Sequence, residues 1–207
     1  KTLKKKKVNK LELMKEMGLE PDENRMLIGM VSRLVDHKGL DLVRYIFHDM
    51  MGDNVSFVLL GSGDAEYENF FREMQNRYPG RVAVRIGFIP SLSKKIYAGA
   101  DAFLMPSKSE PCGLAQMVAA RYGTLPIVRE TGGLKDSIHD VGGENGNGFT
   151  FKTYNAHDML GAIRRAEGLF GNKALWNEAM TDAMESDFSW KKSANDYVNV
   201  YRMILND

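Results

Sequence analysis

Short apolar runs alternate with amphipathic stretches along most of this chain, and no other feature limits its possible folds as strongly. The stretch after the first run repeats apolar side chains at helical spacing, as at Leu40, Val43 and Phe47. Repeated strand and helix units of this kind form a parallel sheet, and right-handed crossovers cover both of its faces with helices. The sequence therefore predicts an α/β fold, a doubly wound parallel sheet of about six strands. The predicted strands are residues 26–31, 55–60, 82–86, 102–105, 126–128 and 149–151.

The remaining segments are predicted to be helices or loops. Five lysines within residues 1–7 predict a solvated linker or a truncated segment, and a short helix follows over residues 9–17. Residues 142–148 are rich in glycine and asparagine and predict a loop. The tail from residue 155 to residue 207 has a helical pattern, with breaks near residues 171 and 186–189. The helices between the strands are predicted near residues 40–50, 67–74, 91–99, 113–122 and 133–138.

Composition excludes several classes of function. The net charge of +1 gives no general attraction for nucleic acid, and no apolar run is long enough to span a membrane. A single cysteine cannot form an internal disulfide and fits a reducing compartment. No histidine and cysteine cluster has metal-ligand spacing. We therefore expect no nucleic-acid partner, no membrane partner and no metal.

Two basic residues, Arg33 and Lys38, follow the first predicted strand. Lys38 precedes a predicted helix, and a cation at the positive end of a helix dipole is unfavourable unless an anion binds there. The pair therefore predicts a phosphate site, with solvated loop cations as the alternative. His37, next to Lys38, fits a surface loop histidine better than a ligand or a base.

The fourth predicted strand leads into a turn that contains Glu110 and Cys112. A helix is predicted to start there, so its first free N–H groups belong to Gly113, Leu114 and Ala115, and such groups can hold a phosphate. Glu110 would repel that phosphate but could accept hydrogen bonds from hydroxyls, which predicts a ligand with a phosphate beside a sugar. The alternative for Glu110 is an ordinary acid at a helix N-terminus. Cys112 has no histidine nearby in sequence, so nucleophilic catalysis is disfavoured.

Two further segments follow predicted strands at the same edge of the sheet. Phe88 could stack on a nucleobase, although a core phenylalanine is the commoner outcome. Thr131 precedes Gly132 and Gly133, whose lack of side chains would let the backbone approach a ligand closely.

Glycines also follow the second predicted strand. Gly61 and Gly63 begin a dinucleotide-binding pattern, but Glu66 stands where its third glycine would be, and a carboxylate there would repel a pyrophosphate. The pattern therefore fails, which disfavours an NAD-dependent enzyme. The two glycines predict a flexible loop at the ligand-binding edge.

Six strings carry a resemblance to a known family, and they occur in order and at the right separations. They are SRLVDHKGLDL, LLGSGDAEYE, RIGF, IYAGADAFLMPSKSEPCGLAQ, RYGTLPIVRETGGLKDS and DFSW. From about residue 9 to its end, the chain resembles the C-terminal lobe of glycogen and starch synthases, which are retaining glucosyltransferases of the two-lobed GT-B fold.

The resemblance implies that residues 9–207 form a Rossmann-like domain that binds a nucleotide-sugar. Its last helices, from about residue 155, would pack on it and toward an N-terminal lobe, and residues 1–8 would be a linker or a truncated inter-lobe segment. The donor would be ADP-glucose, or else UDP-glucose, and the acceptor an α-1,4-glucan bound through the N-terminal lobe. No metal and no further cofactor is implied. The location would be the bacterial cytoplasm, or the plastid stroma for a starch synthase.

Carried over by position, the resemblance implies roles for individual residues. Arg33 and Lys38 would hold the donor diphosphate and stabilise the leaving nucleotide, and Glu110 would contact the glucose hydroxyls. The other residues implied to line the donor are Phe88 at the base, Cys112, Gly113 and Leu114 at the glucose and phosphates, and Thr131, Gly132 and Gly133 in a closing loop.

The sequence also departs from the family pattern. Ala115 stands where many members carry Thr, Asn or Ser, and Val118 stands where related transferases, but not the synthases, carry a second glutamate. The family's N-terminal lobe has no counterpart in this sequence, so we expect a piece of a longer protein that has little or no activity alone. A non-catalytic module that binds glucan or a partner protein is the alternative. The sequence does not predict the oligomeric state.

Overall fold

A computed structural model describes residues 3–52 and 54–206 and contains one six-stranded sheet. Every pair of neighbouring strands is parallel, and the strand order is β3-β2-β1-β4-β5-β6. All six strands were predicted from the sequence, and the predicted fold class is confirmed. The strands are β1 (Met26–Leu34), β2 (Val55–Gly63), β3 (Val82–Ile86), β4 (Ala102–Met105), β5 (Leu125–Arg129) and β6 (Phe149–Phe151).

Helices cover both faces of the sheet. One face packs against α1, α4 and α5, and the other packs against α2, α3, α7 and α8. Alternate residues of β1 serve the two faces: Met26 and Ile28 lie in one core cluster, and Leu27 lies in the other. The helices are α1 (Leu3–Met17), α2 (Leu40–Met50), α3 (Ala65–Arg77), α4 (Pro90–Gly99), α5 (Ala115–Arg121), α6 (Gly132–Ser137), α7 (Ala156–Gly171), α8 (Lys173–Glu185) and α9 (Trp190–Asn206).

The strand order fixes where a ligand can bind. From β1 the chain builds the sheet outward through β2 and β3, and it then crosses back to place β4 on the other side of β1. The connections that leave β1 and β4 therefore go to opposite faces of the sheet. They leave a crevice at the carboxyl ends of these two strands, where open α/β sheets bind their ligands.

The first helix begins at Leu3, six residues before its predicted start at residue 9. Residues 3–8, predicted as a linker or a truncated segment, form the first turns of α1, while residues 1 and 2 lie outside the described part of the chain. Lys6 is buried, and its Nζ donates to Thr124 Oγ1 at 2.7 Å and to the Ala98 carbonyl at 3.2 Å. These contacts extend the helix into a lysine-rich segment that sequence pattern alone assigns to solvent.

Among the other boundaries that differ from the prediction, those of β2 and α5 lie close to the crevice. Gly61 and Gly63 are the paired end of β2, opposite Ser32 and Leu34, and do not form a flexible loop. A Cβ atom on Gly61 would lie 2.1 Å from the Ser32 carbonyl oxygen, so glycine is required by the closeness of β1. Helix α5 begins at Ala115, two residues later than predicted.

The last helix lies apart from both core clusters. Every described side chain over residues 190–205 is exposed, apart from a half-buried serine at position 193. Trp190 is 88% exposed and Leu205 is 83% exposed. No helix in the described part of the chain has the length and apolar character needed to cross a membrane.

Candidate functional site

The turns that follow β1 and β4 meet at the crevice. After β1, a single 3-10 turn over Asp36–Lys38 ends at Gly39, which has a φ of 73°. A Cβ atom on Gly39 would lie 2.1 Å from the Pro106 carbonyl oxygen, so the turn rests directly on the segment after β4. The Lys108 N–H donates to the His37 carbonyl at 2.9 Å and joins the same two segments.

Lys38 and Glu110 form an ion pair across this junction. Lys38 Nζ lies 2.6 Å from Glu110 Oε2, and the two side chains are only 17% and 13% exposed. The Ser107 hydroxyl donates to the same carboxylate oxygen at 3.1 Å. The sequence predicted both charged residues for the site but did not predict that they would contact each other.

The start of α6 supports the turn that carries Glu110. The Gly133 N–H donates to the Glu110 carbonyl at 3.1 Å. Cβ atoms on Gly132 and Gly133 would lie 2.2 Å from the Glu110 carbonyl oxygen and 1.9 Å from the Cys112 carbonyl oxygen. These glycines therefore let the Thr131–Gly133 segment pack against the neighbouring turn.

Arg33 and Phe88 lie beside a second part of the crevice. Arg33 is exposed, and its Nη2 lies 3.4 Å from His37 Nε2. Arg33 and Phe88 both line a cavity of about 280 Å³ at the ends of β1 to β3, together with Gly61 and Gly87. Phe88 is 91% exposed, so its interpretation as a core residue is wrong. An exposed ring beside a cavity is available for stacking.

The segment between Glu110 and α5 is open to solvent. Cys112 and Leu114 are exposed, and Gly113 has a φ of 76°, which places it outside the helix. Ala115, not Gly113, is therefore the first residue of α5. Cys112 also lines a cavity of about 710 Å³ between α5, α6 and the start of α9.

Three residues that sequence reasoning missed support the two turns. The Tyr67 hydroxyl donates to Asp36 Oδ1 at 2.7 Å; burial raises the pKa of Tyr67, and the bond to Asp36 raises it further. Arg129 Nε donates to the Ser107 carbonyl at 2.9 Å, and Tyr154 packs beside Arg129. The sequence signal for Arg129 was a charged residue at the end of a buried strand, next to the Thr131 loop.

Comparison with known families agrees with this geometry. The chain matches the family described as Glycosyl transferases group 1 over residues 15–169. It belongs to this family. Among residues 3–52 and 54–206 of the chain, no group of three His, Cys, Asp or Glu side chains could hold a metal ion.

Individual relatives agree with the family. The chain is 48% identical to the glycogen synthase of Geobacillus thermodenitrificans over 206 residues, which are 99% of this chain and 42% of that protein. It is 51% identical to the glycogen synthase of Clostridium acetobutylicum over 208 residues, 99% of this chain and 43% of that protein. The chain thus spans less than half the length of these relatives, and the resemblance to glycogen and starch synthases is confirmed.

A solved structure extends the match to three dimensions. The catalytic domain of starch synthase IV from Arabidopsis thaliana, bound to ADP and acarbose, superposes with a TM-score of 0.87 and 35% identity. The match covers 99% of this chain and 44% of that one. The fold of the chain is therefore that of a fragment of a GT-B glycosyltransferase.

Proposed function

We propose that this chain is the donor-binding lobe of an α-1,4-glucan synthase. The whole enzyme would transfer glucose from ADP-glucose to the non-reducing end of a glucan with retention of configuration. Two observations on relatives support the choice of substrates: the bacterial proteins are named glycogen synthases, and the plant structure was solved with ADP and acarbose.

The partly buried pair of Lys38 and Glu110 carries this proposal. An ammonium group has three N–H donors, and Glu110 uses one of those on Lys38 at 2.6 Å. The other N–H groups of Lys38 could bind a diphosphate oxygen, while Glu110 accepts hydrogen bonds from sugar hydroxyls. A ligand that places a sugar next to a diphosphate matches both charges. Arg33 lies near the end of β1, the strand that leads into the turn with Lys38. It would supply a second positive charge to the leaving nucleotide.

The nucleotide base would lie against Phe88. The Phe88 ring is exposed beside the 280 Å³ cavity that Arg33 also lines, so one ligand can contact both side chains. Backbone groups of Cys112, Gly113 and Leu114 would line the glucose and the phosphates. The Thr131–Gly133 segment, packed against the Glu110 turn, would close the site on the opposite side.

Turnover would require the rest of the enzyme. Glycosyl transfer needs water to be excluded around the donor, and in two-lobed enzymes closure of the lobes achieves this. We therefore propose that the isolated chain binds the donor weakly and turns over little or none of it. For a glycogen synthase of bacterial type, the place of action would be the cytoplasm.

Isothermal titration of the 207-residue chain with ADP-glucose tests the proposal. Lys38→Ala should weaken binding by about 1.5–3 kcal/mol, the range for a hydrogen bond to a charged group. Lys95→Ala is the matched control, because Lys95 pairs with Glu16 at 2.7 Å on the exposed surface. Its affinity should equal that of the wild type. Equal affinities for the wild type and Lys38→Ala would rule out a donor site at this pair.

A non-catalytic binding module is the second candidate, and the exposed apolar side chains of α9 favour it. Such a module would attach to glucan or to a partner protein without a nucleotide-sugar. Sedimentation with insoluble starch separates the two functions. Strong retention that ADP-glucose leaves unchanged would support the module, and retention no greater than that of an unrelated protein would exclude a glucan-binding module.

A further inference from the structure

Arg129, the last residue of β5, holds two consecutive carbonyl groups of the turn after β4. Its Nε donates to the Ser107 carbonyl at 2.9 Å, and its Nη2 donates to the Lys108 carbonyl at 2.5 Å. A guanidinium group is planar and presents its donors as a rigid fork, so these two bonds fix the positions of the two consecutive peptides on either side of Lys108.

The first of these peptides, between Ser107 and Lys108, supports both charged residues of the proposed site. The buried Ser107 donates its hydroxyl to Glu110 Oε2, and the Lys108 N–H donates to the His37 carbonyl, next to Lys38. A shift of this peptide would therefore move the carboxylate of Glu110 relative to the Lys38 turn.

Tyr154 connects the arginine to a further element. The Arg129 guanidinium lies 5.6 Å from the centre of the Tyr154 ring, and Lys108 Nζ lies 5.7 Å from it. The Tyr154 hydroxyl donates to Asp41 Oδ1 in the first turn of α2, the helix that follows Lys38. Tyr154 thus joins Arg129 to α2, in addition to the ion pair that joins the two turns.

We propose that Arg129 is a positioning residue that sets the carboxylate of Glu110 for the glucose of the donor. The inference rests on the function proposed above and assigns Arg129 no contact with substrate. It requires that loss of the arginine acts through Glu110 and not through a general loss of stability.

The chain contains a matched control for this requirement. Arg81, before β3, donates Nη2 to the Met51 carbonyl at 3.1 Å and to the Val55 carbonyl at 2.9 Å, and it lies 6.0 Å from the Tyr78 ring. It makes the same kind of bridge at the opposite edge of the sheet, where the strands begin. Arg81→Met should therefore lower stability without changing donor affinity.

Isothermal titration with ADP-glucose and with ADP is the first test. We expect Arg129→Met to weaken ADP-glucose binding about tenfold or more and to weaken ADP binding less. The affinity of Arg129→Lys should lie between those of the wild type and Arg129→Met, since lysine restores one hydrogen bond but not the fork. Arg81→Met should remain within about twofold of the wild type. Equal losses for the two methionine variants would overturn the proposal. If Arg129→Met does not fold, the comparison of Arg129→Lys with Arg81→Lys decides in the same way.

A double-mutant cycle gives the second test. In a Glu110→Gln background, Arg129→Met should cost no further ADP-glucose affinity, because its route of action is already removed. Additive losses would contradict the proposal.

Failure of the proposed function would be visible separately, as absence of ADP-glucose binding by the wild type. The positioning role would then be decided by the coupling of Lys38 and Glu110 in urea unfolding, measured through Lys38→Met, Glu110→Gln and their combination. That coupling should be present in the wild type and lost in Arg129→Met. An unchanged coupling would refute the role.

Discussion

Gly39 is the residue on which the contact between the two turns depends. Its φ of 73° is in the left-handed region, and a Cβ atom would lie 2.1 Å from the Pro106 carbonyl oxygen. Gly18 has nearly the same backbone angle, with φ of 76°, but no atom within 4 Å of a Cβ placed there. The two glycines therefore separate the cost of backbone strain from the cost of a steric clash.

We predict that Gly18→Ala lowers the free energy of unfolding by about 1 kcal/mol, the cost of a left-handed alanine. Gly39→Ala should lower it by about 2–4 kcal/mol, because overpacking against backbone adds to the same strain. Urea unfolding at neutral pH measures both values. Similar losses in the two variants would mean that the turn after β1 can move away from Pro106 at little cost.

At the scale of single residues, sequence reasoning found the charged groups but not their contacts. Lys38 and Glu110 were both predicted, yet they are 72 residues apart in the chain. Only the placement of β4 beside β1 brings them to 2.6 Å. For Phe88 the residue pattern alone favoured the core and only the family resemblance placed it at the nucleotide base, because nothing in a local pattern distinguishes a buried ring from an exposed one.

At the scale of elements, periodicity predicted every strand of the sheet because buried parallel strands read as short apolar runs. The errors arose at ends, where a partner elsewhere in the fold decides. The last glycines of β2 were predicted to form a loop, but in the structure they pair with Ser32 and Leu34 of β1. The first turns of α1 were predicted to be a linker, but Lys6 is buried in the protein interior.

The docking of α1 predicts a pH dependence. The pKa of Lys6 is lowered from its ordinary value of 10.5 to about 7, mainly because the side chain is buried; Asp101 opposes this shift and Lys10 contributes to it. Asp101 itself pairs with Lys10 at 2.7 Å, and the contacts of Lys6 are with neutral oxygens. Between pH 7 and 10.5 the unfolded chain therefore binds the extra proton, and stability rises with pH.

We predict that the Lys6 side chain contributes a rise in unfolding free energy of about 2–3 kcal/mol between pH 6 and pH 9. Lys6→Met keeps the length of the side chain and cannot titrate, so this rise should be absent from its pH profile. Lys5→Met, at an exposed neighbouring position, is the control and should follow the wild type. Parallel profiles for Lys6→Met and the wild type would show that Lys6 is charged or solvated in the folded state.

At the scale of the whole molecule, α9 exposes its large apolar side chains to solvent. Trp190, Tyr197 and Tyr201 are 88%, 64% and 60% exposed, whereas α7, of nearly equal length, buries Met159 and Ile163 completely. In water, helical stability comes mainly from packing of an apolar face, and a helix of this length is marginal alone. The relatives are more than twice as long as this chain, and we predict that the additional part of such a protein packs against α9.

Hydrogen exchange measured by mass spectrometry tests this prediction with α7 as the internal reference. In the 207-residue chain, amides of α9 should exchange at least roughly tenfold faster than those of α7, because opening α9 exposes little additional apolar surface. In a chain extended to the length of the relatives, α9 should become protected while α7 stays unchanged. Equal protection of the two helices in the 207-residue chain would mean that α9 is held by contacts within this chain, and its apolar side chains would then need no partner.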